Sequence, residues 1–531
     1  MSALSRTLRR PLTISPERLT VVAGFGAAGF AIAMGVAVGA GYGAFAFAGL
    51  VFAAAVCVGV INWRWSVIGL LAYMPFSGIP ILALHPHAQP GVLAKDLLWV
   101  IPAYIGFFGT YIARRQQISF SGAPIIAMVL FGMIVGIQAL NPSVPEPLVA
   151  MIGIKVWLLY MPLLFLGYHL IRNEKDLRFL LGLMCTLAIV PAGIGIVEQL
   201  LIVAGNQDTV YSLYGDAASR ATQNFAEVDI GGATLRRVPS TFSFVAQYYA
   251  FTACMVAVAY GWWRGTRVRR HRAFRGAVWA MMMLAAFLSG ARGAFAFIPI
   301  LVVLILLLDH RPRRLRAPVQ MGTKRWAIGG AVAVGLGAVT VFGTSAGSLI
   351  SGLFELAGTQ FNKLFIGGIR YAFDTTFLGL GTGIDTNASR YAGEDPAAGL
   401  VAVTGAYWQE SWWVKTVLEL GVVGFILMVF LYGGLVARAV QGHLHVHDPS
   451  LRATSAGITA LLIWTLLYGF KGQYIDLDPL NVYFWLFAGM LMKIFVLDRA
   501  FQRRDEAPAA APSPNGEPAG PSARRIAPAS R

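Results

Sequence analysis

The sequence predicts an all-α polytopic integral membrane protein of about fourteen transmembrane helices, with a long outward-facing loop that carries short amphipathic helices. Three observations predict it. Of the 531 residues, 57% are hydrophobic and 13% charged, where soluble domains run at about 45–50% and about 25%. The apolar residues come in charge-poor runs of roughly the 20 residues that a bilayer crossing needs. The 42 Lys and Arg, against 25 Asp and Glu, collect in short links between alternate runs, as the positive-inside rule demands. So apolar a composition excludes a soluble globular enzyme. Apolar runs also interrupt the basic clusters, so the +17 balance forms no continuous stripe for tracking nucleic-acid phosphates.

Each element follows in order. Residues 1–19 form a basic cytoplasmic N-terminus. Block 20–203 holds spans at 20–38, 42–61, 65–84, 92–113, 123–140, 147–171 and 177–203; the first lacks a small-residue cleavage site and is expected to be an uncleaved signal anchor. Residues 204–241 form an outer loop. Block 242–345 holds spans at 242–263, 273–289, 292–309 and 326–345, and the long outer loop is 346–411. Block 412–497 holds spans at 412–437, 454–470 and 481–497. Residues 498–531, rich in Ala, Pro, Ser and Gly, form a disordered cytoplasmic tail. With the N-terminus inside, alternation puts Arg64, Arg114–Arg115 and the clusters Arg172 to Arg178, Arg264 to Arg275, Arg311 to Arg325 and Arg438 to Arg452 in the cytoplasm. Within the long loop, apolar residues recur at helical spacing around Phe354, Phe361, Phe365 and Phe373, predicting helices that lie on the membrane surface. Cys57, Cys185 and Cys254 all fall inside apolar runs and read as packing residues, with neither a disulfide framework nor a CxxC site.

Charge beside a bilayer is costly, so basic residues that resist the inward bias point to function. Four constellations carry them. RRVPSTFSFVAQYYAF sets Arg236 and Arg237 at the outer end of a span, ahead of Gln247, Tyr248 and Tyr249; these arginines suit headgroup phosphates or a substrate phosphate equally. LSGARGAF puts Arg292 in a small-residue turn at the start of a helix, where N–H groups and a guanidinium together make an anion site. GGIRYAFDTTFLGLGTGIDT places Arg370 one helical turn before Asp374, which suits an ion pair, and follows with a glycine run that lets the chain turn back tightly. YWQESWWVKTVLELGVVGF re-enters the membrane with Glu410, Lys415 and Glu419 among Trp408, Trp412 and Trp413, of which the tryptophans fit an interfacial belt. Glu410, at a span mouth, is placed to act as a general base.

Taken in order over the second half of the chain, these four segments resemble the O-antigen ligase and Wzy-type polymerase superfamily of membrane glycosyltransferases. That resemblance implies a GT-C-like fold in the inner (plasma) membrane, both termini cytoplasmic and an active site on the periplasmic face. It implies a polyprenyl-pyrophosphate-linked oligosaccharide as donor, with no nucleotide sugar, cofactor or metal ion. Arg292 and Arg370, with Arg237, would neutralise the departing diphosphate, and Glu410 would take the proton from the acceptor hydroxyl. Arg236, Gln247, Tyr248, Asp374, Trp408, Trp412 and Lys471 would bind substrate, the aromatic rings stacking on sugar faces. Ligases of the family carry a His where this chain has Glu410, which favours the polymerase of an O-antigen, capsule or exopolysaccharide over a ligase acting on lipid A core or protein. A chain-length regulator and a flippase are the protein partners the resemblance suggests, besides membrane lipids. A lipid-linked oligosaccharide flippase is the alternative of a different class; such transporters gather binding groups at the bilayer midplane and often show internal repeats, whereas here the charges gather at one face.

Other signals carry less. His443, His445 and His447 alternate and could chelate a metal only if extended, and His85 and His87 lack a third ligand. Lys155 and Glu198 lie within spans, pairing with carbonyls or with each other unless they have a function. Asp476 and Asp478 sit near Lys471 and are expected to line an acceptor entrance.

Overall fold

The computed structural model describes residues 43–84, 89–115, 118, 120, 125–215, 227–230, 233–266, 271–310, 347, 351, 358, 361–392 and 409–506. The chain is a helical polytopic membrane protein. Among the described residues, eight helices are long and apolar enough to cross a bilayer: Gly49–Phe76, Gln89–Ala113, Pro147–Leu170, Glu174–Val203, Arg292–Asp309, Trp412–Leu444, Pro449–Tyr468 and Leu480–Gln502. That is fewer than the expected fourteen, for identifiable reasons. Segments 20–38 and 326–345, the N-terminal stretch 1–19 and the tail beyond 506 lie outside the described residues. The expected spans 42–61 and 65–84 join in one helix, α1 (Gly43–Tyr73), which breaks at Asn62 (φ −157°, ψ 92°) in the gap foreseen between them. The segment foreseen at 123–140 is the 15-residue helix Ile125–Ala139.

We number the remaining long helices α2 (Gln89–Ala113), α3 (Ile125–Ala139), α4 (Pro147–Leu170), α5 (Glu174–Val203), α6 (Val245–Arg264), α7 (Arg272–Leu288) and α8 (Arg292–Asp309). They are followed by a short α9 (Gly368–Thr375), α10 (Trp412–Leu444), α11 (Pro449–Tyr468) and α12 (Leu480–Glu506). Neither α6 nor α7 is among the eight. Helix α7 has 17 residues, and α6 carries Gln247 and three tyrosines. It tolerates them because every residue from Val245 to Trp263 is buried, so neighbouring helices, not lipid, form its surroundings.

The all-α expectation holds for the class, and a short hairpin accompanies the helices. Strands β1 (Glu227–Ile230) and β2 (Ala233–Arg236) pair antiparallel inside the 204–241 loop, Glu227 opposite Arg236. The signal was present in sequence: EVDI and ATLR flank Gly-Gly, a short hairpin link.

Helix ends are fixed locally. Asn173 caps α5 by accepting from Asp176 N at 3.0 Å, and Asp448 caps α11 by accepting from Ser450 N and Leu451 N, with Pro449 in the first turn. The links expected on the cytoplasmic side meet at one end of the bundle: Ser450 Oγ donates to Gly265 O (3.0 Å) and Glu174 Oε1 (3.2 Å), and Arg452 Nη2 to Leu308 O (3.0 Å). Contacts at the other end join Val238 N to Ser289 O (3.2 Å) and Trp412 N to Gly469 O (2.9 Å).

Helix α10 breaks at Gly421 (φ 69°, ψ −173°). The glycine-rich segment 377–386 occupies the break. Leu380 N donates to Leu418 O (2.7 Å), Gly381 N to Glu419 O (3.1 Å) and Val422 N to Phe377 O (3.0 Å). Its other edge is tied to α3, where Thr382 N reaches Gln138 O (3.1 Å) and Thr382 Oγ1 reaches Val135 O (2.8 Å). Irregular backbone at this depth is tolerated only where protein satisfies its hydrogen bonds. A Cβ on Gly421 would sit 2.4 Å from the Leu378 carbonyl, so the close approach and the backbone angles both require glycine.

Candidate functional site

The turn between α7 and α8 brings two arginines together. Gly290 has φ +73°, and a Cβ there would lie 1.9 Å from Arg236 O and 2.8 Å from Arg237 Cα, so only glycine lets the end of β2 rest on the turn. The Gln199 amide of α5, its nitrogen facing the two carbonyls, donates to Arg236 O (3.0 Å) and to Leu288 O (3.1 Å). Next to it, Glu198 accepts from Ser240 N (3.0 Å) and from the Tyr214 hydroxyl. Arg237 and Arg292 are thereby presented from adjoining backbone. Each is partly exposed, with its Nε buried and unpartnered. Arg292 opens the 18-residue α8, which has no side-chain cap, so the positive helix end adds to the guanidinium.

Lys471 and Glu410 complete the set. Lys471 follows α11, its N–H bonded to Tyr468 O at 2.9 Å; Glu410 precedes α10. Neither forms an ion pair among the described residues. Burial, and then the charge of Arg292 with a further push from Arg237, brings the Lys471 ammonium down to about 7, against the opposing pull of Glu410. An aromatic cluster packs alongside: Tyr468 and Tyr474 have ring centres 4.4 Å apart, and Tyr249 lies 5.6 Å and 5.9 Å from them. Burial raises the Tyr474 hydroxyl above its ordinary range, Arg237 opposing. Three cations, one carboxylate and the Tyr474 ring, all partly exposed, therefore gather at one mouth of the bundle, with Tyr249 and Tyr468 buried behind them.

Two polar residues that the sequence reading does not single out, Asp385 and Gln473, hold this mouth in shape together with Glu419. Asp385 accepts from Gln409 N (2.7 Å); Gln473 Nε2 donates to Asp385 O (2.9 Å) and Gln409 O (2.7 Å). The residue before Glu410 is thus tied to the loop that carries Lys471. Burial holds the Asp385 carboxyl well above the usual carboxylate range. Glu419 bonds Asp385 N and Thr386 Oγ1, both at 2.9 Å, and Trp157 Nε1 at 2.7 Å. The signals available in sequence were the lone acid ending the glycine run and a Gln two residues past Lys471.

Asp476 and Asp478, expected to line an entrance, are instead anchors. Asp476 pairs with fully buried Lys415 at 2.5 Å and accepts from Trp412 Nε1 at 3.1 Å, while Asp478 pairs with Lys95 at 3.2 Å. Burial raises Asp476, with Lys415 pulling the other way. Lys155 pairs with Asp96 at 2.7 Å, so it and Glu198 find separate partners.

The remaining expected residues are dispersed. Arg370 and Asp374 both stand exposed on α9 without the foreseen ion pair, and Arg370 is not among the charges acting on Lys471. Helix α9 lies alongside α10 with Gly368 against Val414, and its buried face is the apolar one. Arg236 is partly exposed and contributes the carbonyl held by Gln199. Gln247 is buried and accepts from Ser243 Oγ at 3.1 Å. Tyr248 and Trp412, foreseen as sugar-stacking faces, are core residues at 0% and 1% exposure. Tyr248 packs on Phe242 and Gly195, and the next residue, Tyr249, is equally buried and packs on Tyr468 and Tyr474. Trp408, His85 and His87 lie outside the described residues. His443 is buried against Ser455 Oγ (2.9 Å) and Leu308 O (2.8 Å), and no metal-holding cluster of His, Cys, Asp and Glu occurs among the described residues.

Compared with family models and with curated proteins, the chain matches none.

Proposed function

We propose that this protein is a membrane glycosyltransferase that takes an oligosaccharide from a polyprenyl diphosphate and joins it to another, as the polymerase of a surface polysaccharide at the periplasmic face of the inner membrane. The observation that carries the proposal is the convergence of Arg237, Arg292 and Lys471 with Glu410 at one mouth of the bundle. The acceptor hydroxyl attacks the anomeric carbon, Glu410 takes its proton, and the bond from that carbon to the diphosphate oxygen breaks. The charge that develops on the leaving diphosphate is met by guanidinium groups already in position, which lowers the barrier without reorganisation. Tyr474, the partly exposed member of the phenol cluster, offers apolar surface for the sugar next to the reacting bond. The Tyr474 ring and the neighbouring cations suit a substrate with an uncharged glycan joined to a diphosphate.

The test is reconstitution of the purified full chain in liposomes with a lipid-linked oligosaccharide, separating products by chain length. Extension by whole repeat units that is lost in Arg292→Ala and Glu410→Gln supports the proposal. Absence of any transfer by the wild type, or transfer undiminished in both variants, overturns it.

A further inference from the structure

Lys471 is the member of the cationic set whose charge is not fixed. Arg237 and Arg292 offer planar guanidinium groups suited to bidentate contact with phosphate. The groups facing Lys471 come from every element around it. Arg292 is on α8, Arg237 on the segment after β2, and Glu410 on the lead-in to α10; Tyr468 and Tyr474 belong to its own helix and loop, and Tyr249 to α6. Asp476 and Asp478 of the same loop are already engaged by Lys415 and Lys95, and Lys363 and Arg370 are exposed on the surface segment 361–375. Its ammonium has no ion-pair partner among the described residues, and the charges of two arginines act against it.

Resting on the function proposed above, we propose that Lys471 sets the specificity for a diphosphate: it takes up a proton when a diphosphate binds between Arg237 and Arg292, and not when a phosphate diester does. The charges make the distinction. With Lys471 neutral, two guanidiniums and the Glu410 carboxylate leave one net positive charge, which one phosphate diester balances. A diphosphate with both phosphates esterified carries two negative charges, and the second is balanced only when Lys471 gains its proton. In the free protein, burial and the two arginines hold Lys471 near neutrality at about 7, so the uptake falls within an ordinary pH range. The donor stays fully ionised there, since its two phosphates have no titrating proton near neutral pH.

The experiment measures binding by titration calorimetry of the detergent-solubilised full chain, using two probes: an isoprenyl diphosphate esterified to a hexose, and the matching isoprenyl phosphate esterified to a hexose. Titrations in buffers of different ionisation enthalpy count the protons exchanged. For wild type, about one proton is taken up with the diphosphate at pH 8, and its affinity falls by up to about tenfold per pH unit above the free value of Lys471. The phosphate diester shows neither. Lys471→Met loses the proton uptake and the preference between probes; Lys471→Arg keeps the preference without the pH dependence, and guards against a misfolded Met variant. Equal proton uptake in wild type and Lys471→Met, or equal uptake with both probes, overturns the inference while leaving the proposed function standing. Failure of wild type to bind either probe overturns both.

Discussion

Arg292 and Arg370 looked equivalent in the sequence, yet one opens a helix inside the charged mouth and the other stands exposed on α9. They therefore differ in expected effect. Arg292→Ala should lower turnover of lipid-linked oligosaccharide by about a hundredfold or more, as loss of one preorganised donor does, whereas Arg370→Ala should cost less than about tenfold; the reverse order in the liposome assay would remove Arg292 from its role. Lys471 adds a stability effect of definite sign. Its value in the free protein is about 7, below the ordinary 10.5, so between these limits the unfolded chain binds a proton that the folded chain does not. Stability without ligand must then rise with pH across that interval and be penalised below it. Melting curves in detergent should show the rise in wild type and lose that contribution in Lys471→Met. Arg237, Arg292, Lys471 and Glu410 were legible because a charge out of place in an apolar sequence is conspicuous. Asp385 and Gln473 were not. Their importance comes from contacts with residues far along the chain.

Among the elements, α10 with its inserted glycine segment is the least tolerant of change. Gly421→Ala would place a side chain 2.4 Å from the Leu378 carbonyl at a backbone conformation essentially reserved for glycine. The strained backbone alone costs about 1–3 kcal/mol, and the melting temperature in detergent should fall accordingly; an unchanged value would mean that the break is absent in solution. Most helices were readable from apolar run length, and the boundary near Asn62 fell where the polar residues of Asn62, Trp63 and Arg64 predicted. The docking of residues 377–386 into α10 was not readable. The run Gly379, Gly381, Gly383 announced a tight backbone path, but its destination depends on carbonyls exposed by a break some forty residues later, which periodicity does not report.

For the whole molecule, alternation of basic and neutral links predicted two faces, and hydrogen bonds now tie the basic links at one end and the arginine-bearing turns at the other. In a cysteine-free background, Asp374→Cys should react with a membrane-impermeant maleimide in intact cells, while His445→Cys should react only after permeabilisation. Labelling of both from outside would invalidate the two-sided arrangement. Gln199 has a mechanical consequence at this scale. One amide grips the backbone of both arginine-bearing segments, so a tilt of α5 carries Arg237 and Arg292 along together, as two jaws mounted on one handle. Under the proposed function, the bundle would then open for a bulky glycan while the spacing of the two guanidinium-bearing segments stays the same.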